Sequence, residues 1–371
     1  MKIGIDVSRA FRKEKTGIEW YVYYLMYELA RQDAKHEYIF YTNCNPNENV
    51  EEIISSRLRV LHWPFKRLWT QGRFSLEMIM NPPDVLLIPS SALPLIHPKK
   101  TIAVVHDVGF LSHTHYRSPF AISYLKWSTQ YALKHAWKIV TVSEWTKQEI
   151  IRYYGTSAGR IHVVPIGLHD SYRILPNNES IEAVRKKYTI QRPFFLTIGR
   201  IDERKNIKCL IAGFKLFSHL HHAYQLVIVG PYGYGAERSI AAIESAKKDG
   251  YRIVHIPWIE EGEKRSLLAG CKAFVFPSLY EGFGIPVIEA QASRVPVITS
   301  TTTSLPEIAG KGAAYIDPQS ALALAEQMEK VAVDRQFATD LVEKGYENSC
   351  RFTWEICAST IDSLLRDEVM C

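Results

Sequence analysis

The chain has 371 residues, 47% of them hydrophobic, and a formal net charge of +6. This length suits two domains better than one, and no apolar run approaches the roughly 18 residues that a membrane-spanning helix requires. The six cysteines form no C-x-x-C pair and "MKIGIDVSRA" reads as a strand, not a signal peptide, so we expect reduced thiols in a cytoplasmic protein.

The positive charge is concentrated in the first half of the chain. Up to Arg173 there are 22 Lys and Arg against 15 Asp and Glu, whereas the remainder has 23 against 24. Basic and aromatic residues interleave in Phe65–Arg73 and Tyr124–Lys138. The pattern is typical of a solvated helix face, but it also suits a surface that contacts anionic lipid head groups or an anionic acceptor. We expect no nucleic-acid binding, because no recognition motif accompanies the charge.

Short apolar runs alternate with helical patterns along the first half. The predicted strands are Lys2–Asp6, Tyr38–Thr42, Val85–Ile88, Thr101–Val105, Lys138–Val142 and Ile161–Val164. Helical periodicity is clearest over Gly17–Ala30 and Phe120–Ala136. This alternation favours a parallel sheet with helices on both faces.

The second half repeats the alternation. Its predicted strands are Phe194–Ile198, Gln225–Val229, Arg252–Ile256, Ala273–Pro277, Val297–Thr299 and Ala314–Ile316. Its predicted helices are Asn206–Leu220, Gly235–Lys248, Glu261–Ala269, Pro286–Ser293 and Gln319–Val333. The polar stretch 169–184 predicts a linker, and Thr353–Arg366 predicts a helix after the second sheet.

We therefore predict an α/β protein of two doubly wound domains that face each other across a cleft. The first domain spans 1–173, the second 174–352, and 353–371 is a C-terminal helical tail. Ligands of such sheets lie outside the carboxyl ends of the strands, so polar residues directly after strands are the candidates for a site.

Two cations, Arg200 and Lys205, follow the strand Phe194–Ile198, and Asn206 after them is a residue type favoured as a helix cap. An arginine fork and a lysine point charge at the end of a strand could hold a diphosphate. The alternative is a solvated loop in which the neighbouring acidic residues neutralise these cations.

The segment "SLYEGFGIPVIEAQ" follows the fourth predicted strand of the second half and holds Glu281 and Glu289. Gly282 and Gly284 carry no side chain, so backbone N–H groups there can approach a ligand. Pro286 suits the first turn of a helix, whose N-terminus favours a phosphate. Glu289, one turn into that helix, could bind a pair of hydroxyls, while Glu281 stays in the loop. We expect the two carboxylates to have different roles.

Two candidates belong to the first half. His106 follows the strand Thr101–Val105; a lone histidine is more often structural, but its place at a strand end makes it a candidate. Gly17 opens the first predicted helix and could approach a phosphate, although a single glycine is a weak signal. Ser143 is most simply a helix cap.

Several motifs, in this order and spacing, resemble the nucleotide-binding half of the retaining glycosyltransferases of family 4, which have the GT-B fold. They are "LTIGRIDERKNI", "LVIVG", "AFVFPSLYEGFGIPVIEAQASRVPVITS" and "SLPEIAG". The fragments "TGIEWYVYYLMYELA", "VVHDVGF", "TVSEWT" and "IHVVPIGL" are similar to the acceptor domain, so the resemblance covers nearly the whole chain. "TGIEW" has one glycine where the family loop commonly has a pair.

The resemblance implies a role for each matched position. Arg200 and Lys205 match the pair that binds the donor diphosphate. Glu281 and Glu289 match the two glutamates of the E-x7-E motif, the first against the donor sugar and the second on the nucleotide ribose. His106 matches a histidine that reaches the sugar from the other domain, so His106 and Glu281 are the implied catalytic residues.

Further positions are implied to contact the donor, and the C-terminal helix resembles one that crosses back to the first domain. The donor contacts are Gly17 at the phosphate, Trp258 beside the base, and Gly282, Phe283, Gly284 and Ile285 at the sugar and phosphate.

The implied activity is transfer of a hexose from a nucleotide-diphosphate sugar to a glycan or lipid-linked oligosaccharide, with retention by front-face attack. No D-x-D motif occurs, so we expect no metal cofactor; Arg200, Lys205 and a helix N-terminus could neutralise the leaving diphosphate. The motifs resemble mannosyl- or rhamnosyltransferases of bacterial surface-polysaccharide synthesis. GDP-mannose is the first choice of donor, followed by dTDP-rhamnose and UDP-glucose, and we expect peripheral binding at the inner face of the cell membrane.

Three alternatives remain at this point. A glycoside hydrolase would use Glu281 and Glu289 as a carboxylate pair about 5–10 Å apart. A binding or scaffold protein would have the same fold with a degenerate site. A sugar phosphorylase or a nucleotide-sugar epimerase would keep the architecture and change the reaction.

Overall fold

A computed structural model describes residues 1–12, 15–32, 36–44, 50–63 and 68–366, apart from the side chain of His115. The strands are β1 (Lys2–Asp6), β2 (Glu37–Thr42), β3 (Leu58–Val60), β4 (Val85–Ile88), β5 (Thr101–Val105), β6 (Lys138–Thr141), β7 (Ile161–Val163), β8 (Phe194–Ile198), β9 (Gln225–Val229), β10 (Ile253–Ile256), β11 (Ala273–Phe276), β12 (Val297–Ser300) and β13 (Ala314–Ile316).

The α-helices connect these strands and close the chain. They are α1 (Gly17–Arg31), α2 (Glu52–Ser55), α3 (Ser75–Met80), α4 (Pro119–His135), α5 (Glu144–Tyr154), α6 (Asn178–Lys187), α7 (Ile207–Ser218), α8 (Glu237–Lys248), α9 (Glu261–Gly270), α10 (Ile285–Ala292), α11 (Leu305–Ala309), α12 (Ala321–Val333), α13 (Arg335–Ser349) and α14 (Trp354–Arg366).

The chain divides into two units, each with its own parallel sheet. The first unit comprises residues 1–108, 120–167 and 352–371, and the second comprises 109–119 and 168–351. The sheet of the first unit has the strand order β3-β2-β1-β4-β5-β6-β7, and that of the second has β10-β9-β8-β11-β12-β13. Both sheets are of the Rossmann-like, doubly wound type, which confirms the predicted fold class. The strand order reverses between β1 and β4 in one sheet and between β8 and β11 in the other.

Burial follows from this architecture. Strands β4, β5, β9, β11 and β12 are buried along their whole length, as expected for parallel strands that are covered on both faces. In the second unit, aromatic and aliphatic side chains of β8, β9, α7 and α12 form one core. In the first unit, the C-terminal helix α14 lies on α1, where the Trp354 ring is 5.4 Å from that of Tyr24.

The predicted strands all exist, and no end differs from the prediction by more than one residue. The structure adds β3 and the helices α2, α3, α5, α6, α11 and α13 to the predicted elements. Part of the predicted linker is wrong, because residues from Asn178 onward form α6 within the second unit. The Ser143 prediction is confirmed, since its hydroxyl accepts from the Thr146 N–H at the start of α5.

Two further observations bear on the sequence analysis. No helix in the described ranges is long and apolar enough to cross a membrane. The described cysteines, Cys44, Cys209, Cys271, Cys350 and Cys357, are free thiols, and Cys371 lies outside the described residues.

Candidate functional site

The candidate residues of the second unit lie where its strand order reverses. Arg200 and Lys205 follow β8, and Glu281 follows β11, its neighbour in the sheet. Carboxyl ends of parallel strands meet at one edge of the sheet, so the two loops lie side by side. The backbone N–H of Leu279 donates to the Arg204 carbonyl (2.7 Å) and joins them. This is the position at which doubly wound sheets bind ligands.

The central contact of the site is an ion pair between Lys205 and Glu281. The Lys205 Nζ lies 2.5 Å from Glu281 Oε1, and both side chains are largely buried, with 15% and 13% of their surface exposed. The ammonium also lies 4.5 Å from the centre of the Phe276 ring. The Lys205 chain passes over Gly199, where a Cβ atom would lie 3.1 Å from Lys205 Cε. A cation and a carboxylate are therefore fixed next to each other at the carboxyl ends of β8 and β11.

Arg200 is the exposed cation of the pair. Its side chain lies over Gly233 in the loop after β9, where a Cβ atom would be 3.0 Å from Arg200 Cγ. It forms no ion pair with any residue that the structure describes. The acidic residues between the two cations are occupied elsewhere, since Asp202 pairs with Arg204 at 2.8 Å and Glu203 lies 3.8 Å from Arg238. Asp202 and Glu203 thus pair with other arginines, which argues against the alternative in which they neutralise Arg200 and Lys205.

The prediction that the Asn206 side chain caps a helix is wrong. Asn206 precedes α7 in a left-handed conformation (φ 56°), and its side chain makes no capping hydrogen bond. Instead its amide donates to the carbonyls of Pro277 (3.0 Å) and Pro318 (2.6 Å). Asn206 therefore ties the loop after β8 to the loop after β11. The left-handed backbone, which asparagine tolerates, makes this possible.

Thr303 and Ser304 fix the loop between the two glutamates through hydrogen bonds. The Glu281 N–H donates to Thr303 Oγ1 (3.2 Å), and the Ser304 hydroxyl lies 2.8 Å from the Phe283 carbonyl and 3.0 Å from that of Glu281. Gly284 has a φ of 113°, and a Cβ there would lie 2.9 Å from Leu305 Cδ2. Helix α10 begins at the next residue, with Pro286 in its first turn as predicted.

Glu289 lies within α10 and is buried. Lys264 of α9 places its Nζ 2.6 Å from Glu289 Oε1, whereas Oε2 is buried and meets no donor at hydrogen-bond geometry among the described residues. Burial raises the pKa of Glu289; the Lys264 ammonium opposes that rise, the Glu261 carboxylate adds to it, and the nearby Tyr172 hydroxyl, which donates to Glu261, also lowers it. An unpaired buried carboxylate oxygen is costly, so this atom is a natural acceptor for ligand hydroxyls.

The two glutamates do not form a carboxylate couple with a shared environment. Glu281 pairs with Lys205 and Glu289 with Lys264, so each carboxylate has its own cation. An acid/base pair on a glycosidic bond needs one protonated and one free carboxyl group flanking the bond. Glu281 and Glu289 therefore lie in separate environments, each beside its own lysine.

Trp258 follows β10 and is 66% exposed, which leaves its ring accessible for stacking. In the loop after β9, Tyr232 packs on the ring of His255, a residue of β10, at 4.6 Å, and His255 Nε2 lies 2.9 Å from the Gly230 carbonyl.

His106 belongs to the first unit, at the end of β5. Its Nε2 lies 3.1 Å from the Pro89 carbonyl at the end of β4, so Nε2 carries the proton and Nδ1 is an acceptor. The Tyr21 ring packs edge-on at 4.8 Å. Burial lowers the pKa of His106, and the bond to Pro89 opposes this only in part. The imidazole is therefore neutral at neutral pH.

Gly17 is the first residue of α1, also in the first unit. Thr16 caps this helix, and the buried Glu19 closes a capping box by accepting from the Thr16 N–H (3.1 Å). Arg9 and Arg12, from the loop after β1, pair with Glu19 at 3.2 and 3.4 Å. The loop around Gly17 is thus fixed by a carboxylate and two arginines that the sequence analysis did not single out.

Other contributors to the site were also missed. Lys264 of α9 contacts Glu289, and Thr303 and Ser304, in the loop between β12 and α11, contact the Glu281 loop. Only the three-dimensional structure reveals such partners, because no spacing in the sequence connects them. In the described ranges, no group of three or more His, Cys, Asp or Glu side chains could hold a metal ion.

Comparisons with known proteins agree with this architecture. The family model "Glycosyl transferases group 1" matches residues 180–348, and "Glycosyltransferase Family 4" matches residues 15–172. The O-antigen chain mannosyltransferase B of Escherichia coli is 27% identical over 262 residues, which are 70% of this chain and 68% of the relative. The serotype-specific mannosyltransferase WbdA of Escherichia coli is 28% identical over 265 residues, which are 69% of this chain but only 32% of that protein.

A solved structure supports the fold over almost the whole chain. The sucrose-phosphate synthase of Thermosynechococcus elongatus superposes with a TM-score of 0.77 at 21% identity, covering 99% of this chain and 98% of that one. The fold is thus that of the GT-B glycosyltransferases. With one family model on each half, the chain belongs to the group 1 and family 4 glycosyltransferases.

Proposed function

We propose that this glycosyltransferase transfers mannose from GDP-mannose to a growing surface polysaccharide, with retention at the anomeric carbon. Relatives named as O-antigen chain and serotype-specific mannosyltransferases support the sugar and the pathway class. The runners-up for the donor are dTDP-rhamnose and UDP-glucose.

The contact between Lys205 and Glu281, 2.5 Å apart beside the start of α10, carries this proposal. A glycosyltransferase breaks the bond between a sugar and a phosphate, so its site needs a cation and a hydroxyl-binding group side by side. Lys205, Arg200 and the helix N-terminus would neutralise the leaving diphosphate. Glu281 would accept hydrogen bonds from the sugar hydroxyls, together with the backbone of Gly282, Phe283, Gly284 and Ile285.

These charges would stabilise the leaving diphosphate during the following proposed reaction. The acceptor hydroxyl attacks the anomeric carbon from the face that the diphosphate leaves, the carbon–oxygen bond to phosphate breaks, and a diphosphate oxygen takes the acceptor proton. His106, neutral and with Nδ1 free to accept, would bind a sugar hydroxyl. Glu289 Oε2 would receive the ribose hydroxyls, Trp258 would lie beside the base, and Gly17 would approach the phosphate.

We also propose that this stabilisation of the leaving group needs no metal ion. Two cations and a helix N-terminus can supply the positive potential that a divalent ion supplies in other transferases. Turnover should therefore persist in EDTA, and a strict requirement for added Mg²⁺ or Mn²⁺ would remove this part of the proposal.

A thermal-shift screen of nucleotide sugars tests the donor. A ligand that binds only the folded state stabilises it by about 2.7 kcal/mol at 100 times its Kd, which for a domain of this size raises Tm by roughly 5–10 °C. We expect GDP-mannose to give the largest shift. A larger shift with dTDP-rhamnose or UDP-glucose would replace the donor, and no shift with any nucleotide sugar would contradict the proposal.

The Lys205→Ala variant tests the diphosphate role. We expect it to lose most turnover, measured as GDP release from GDP-mannose, and to bind GDP at least about tenfold more weakly, equivalent to about 1.4 kcal/mol. Lys208→Ala is the matched control, because Lys208 is exposed on the next helix. Near-wild-type kinetics in a folded Lys205→Ala protein would rule out this role.

For the acceptor we propose a lipid-linked oligosaccharide at the inner face of the cell membrane. The basic character of the first half of the chain supports such a peripheral location. Part of the segment Phe65–Arg73, residues 65–67, lies outside the described residues.

A further inference from the structure

Helix α4 of the first unit presents an aromatic stripe to solvent. Phe120, Tyr124, Trp127 and Tyr131 recur at intervals of four, three and four residues, which places them on one face. Phe120 is 79% exposed, Trp127 43% and Tyr124 41%. The rings contact each other in series, at 5.7 Å between Tyr124 and Trp127 and 5.9 Å between Trp127 and Tyr131. None of these rings belongs to the site described above.

The stripe continues into neighbouring segments through hydrogen bonds. The Tyr131 hydroxyl donates to the Leu95 carbonyl (3.0 Å), and the Leu95 N–H donates to Ser75 Oγ (3.1 Å) at the start of α3. Each of these segments also exposes large apolar side chains. We call the whole set the apolar surface; its members are Leu76, Ile79, Met80, Leu95, Ile96, Phe120, Tyr124 and Trp127.

A patch of this kind requires an explanation. Single exposed apolar residues are normal on a protein surface, whereas a connected group marks an interaction site. Leu76, Ile79 and Met80 alone are 47%, 57% and 53% exposed.

The charge around the apolar surface identifies its partner. Between Asp84 and Glu144 the only acidic residue is Asp107, and Glu77 of α3 is buried and paired with Arg59 and Arg73. The basic residues in the same stretch are Lys99, Lys100, Arg117, Lys126, Lys134 and Lys138. Helix α4 itself has no acidic residue, and Lys126 and Lys134 are exposed. A second copy of this chain would bring like charges together, whereas an anionic lipid surface is complementary.

The combination of residue types fits a bilayer interface. Trp and Tyr are favoured at the head-group level of membranes, where one end of the ring is apolar and the other wet. Lysines near an anionic surface each contribute about 1 kcal/mol, falling off within a Debye length. Lys100 and Lys138 also lie over the Trp137 ring, at 5.2 and 4.1 Å, at the end of the stripe.

We propose that the apolar surface docks the first unit on an anionic bilayer, with the rings of α4 at the depth of the head groups and the flanking lysines on the lipid charges. This names the membrane-binding surface that the proposed lipid-linked acceptor requires, and it rests on the proposed function only for the biological role of the contact. Binding to lipid itself is independent of the sugar-transfer chemistry.

Co-sedimentation with vesicles tests the proposal. The full-length chain should bind vesicles of phosphatidylglycerol and phosphatidylcholine, dissociate at high salt, and bind pure phosphatidylcholine much more weakly. The Phe120→Ser/Trp127→Ser variant should lose about tenfold or more in partition coefficient, because it removes the most exposed ring and a central one. Lys126→Gln/Lys134→Gln should weaken binding to the anionic vesicles alone.

A matched control separates this surface from general hydrophobicity. Leu220→Ser/Leu216→Ser removes two exposed apolar side chains of the second unit, 74% and 44% exposed, and should leave vesicle binding unchanged. The substituted side chains are exposed, so we expect all variants to fold, and unchanged Tm values would show this.

Three outcomes would overturn the proposal: no binding of the wild type to anionic vesicles, equal binding of the Phe120→Ser/Trp127→Ser variant, or a dimer that this variant dissociates. The last result would make a second copy the occupant. Because no nucleotide sugar is present in the assay, its result is separate from the donor screen. Vesicle binding without a thermal shift from any nucleotide sugar would keep this surface and contradict the proposed function.

Discussion

At the scale of single residues, Glu289 gives the sharpest prediction. One of its oxygens pairs with Lys264, and the other is buried near the Tyr172 hydroxyl with no donor at hydrogen-bond geometry among the residues that the structure describes. The Glu289→Gln variant keeps the size of the side chain and replaces a charged acceptor by a neutral one. Hydrogen bonds to charged groups contribute about 1.5–3 kcal/mol, so we expect KM for the donor to rise roughly tenfold or more. Glu326→Gln, at an exposed position of α12, is the control, and an unchanged KM in Glu289→Gln would contradict a donor-binding role.

The same carboxyl group predicts a pH dependence. Burial raises the pKa of Glu289, so it takes up a proton at higher pH than an exposed glutamate does. Ribose hydroxyls donate to the ionised form, so donor affinity should be full above this raised pKa and fall as the pH drops through it. Calorimetric titration with GDP at a series of pH values measures this fall in affinity, which is the acidic limb of the pH profile. The limb should be absent in Glu289→Gln, which cannot ionise, and its persistence there would assign it to another group.

Single residues also show what the sequence could and could not predict. The positions of Glu281 in a loop and Glu289 in a helix were predictable, because the local sequence shows where the preceding strand ends and where the helix begins. Lys264 was not, since its contact with Glu289 depends on how α9 packs beside α10. Asn206 was predicted as a helix cap, yet it takes a left-handed conformation and bonds two distant carbonyls instead. Local propensity is overridden there by tertiary contacts.

At the scale of elements, the close approach of the ends of β8 and β9 requires glycine. Gly230 has a φ of 139°, and a Cβ on it would lie 2.0 Å from the Gly199 carbonyl oxygen. Gly199 leads directly into Arg200 and Lys205. The Gly230→Ala variant should therefore lower both Tm and turnover, because the β8 loop must move to admit the methyl group.

Gly250→Ala separates this clash from backbone strain. Gly250 also has a positive φ, 87°, but nothing lies within 4 Å of its Cβ position. Both variants carry the strain of a left-handed alanine, about 1–2 kcal/mol. Only Gly230→Ala adds an overlap, for which we expect about 1–3 kcal/mol more and a loss of turnover. Equal Tm values and equal turnover for the two variants would contradict this account.

The elements that sequence analysis found or missed differ in a physical way. Strands such as β9 and β11 are continuous apolar runs that are covered on both faces, so they stand out in any composition profile. Strand β3 is three half-buried residues, Leu58–Val60, and gives no such signal. Helix α6 buries only Val184, so its sequence is mostly polar and predicts a linker. An element that buries few side chains has no apolar pattern from which it could be predicted.

At the scale of the whole molecule, the path of the chain between the two units was only partly predictable. The C-terminal helix was expected from its periodicity. By contrast, residues 109–119 belong to the second unit although they lie within the first half of the chain. Tyr280 explains this assignment, because it lies within van der Waals distance of Gly109 and its ring is 5.3 Å from that of His113. Such a contact has no local signature.

The C-terminal segment gives the last prediction. In α14, Trp354 is buried against Tyr21 and Tyr24, and Asp362 accepts from the Tyr38 hydroxyl (2.5 Å). Trp354→Ala should therefore destabilise the first unit by about 3–5 kcal/mol. Amide hydrogen exchange should rise in β1–β7 and stay unchanged in β8–β13, because the core of α14 belongs to the first unit alone. Trp258→Ala, at an exposed position, should change neither. A uniform loss of protection in both sheets would instead mean that the two units unfold as one, and α14 would then stabilise the whole chain.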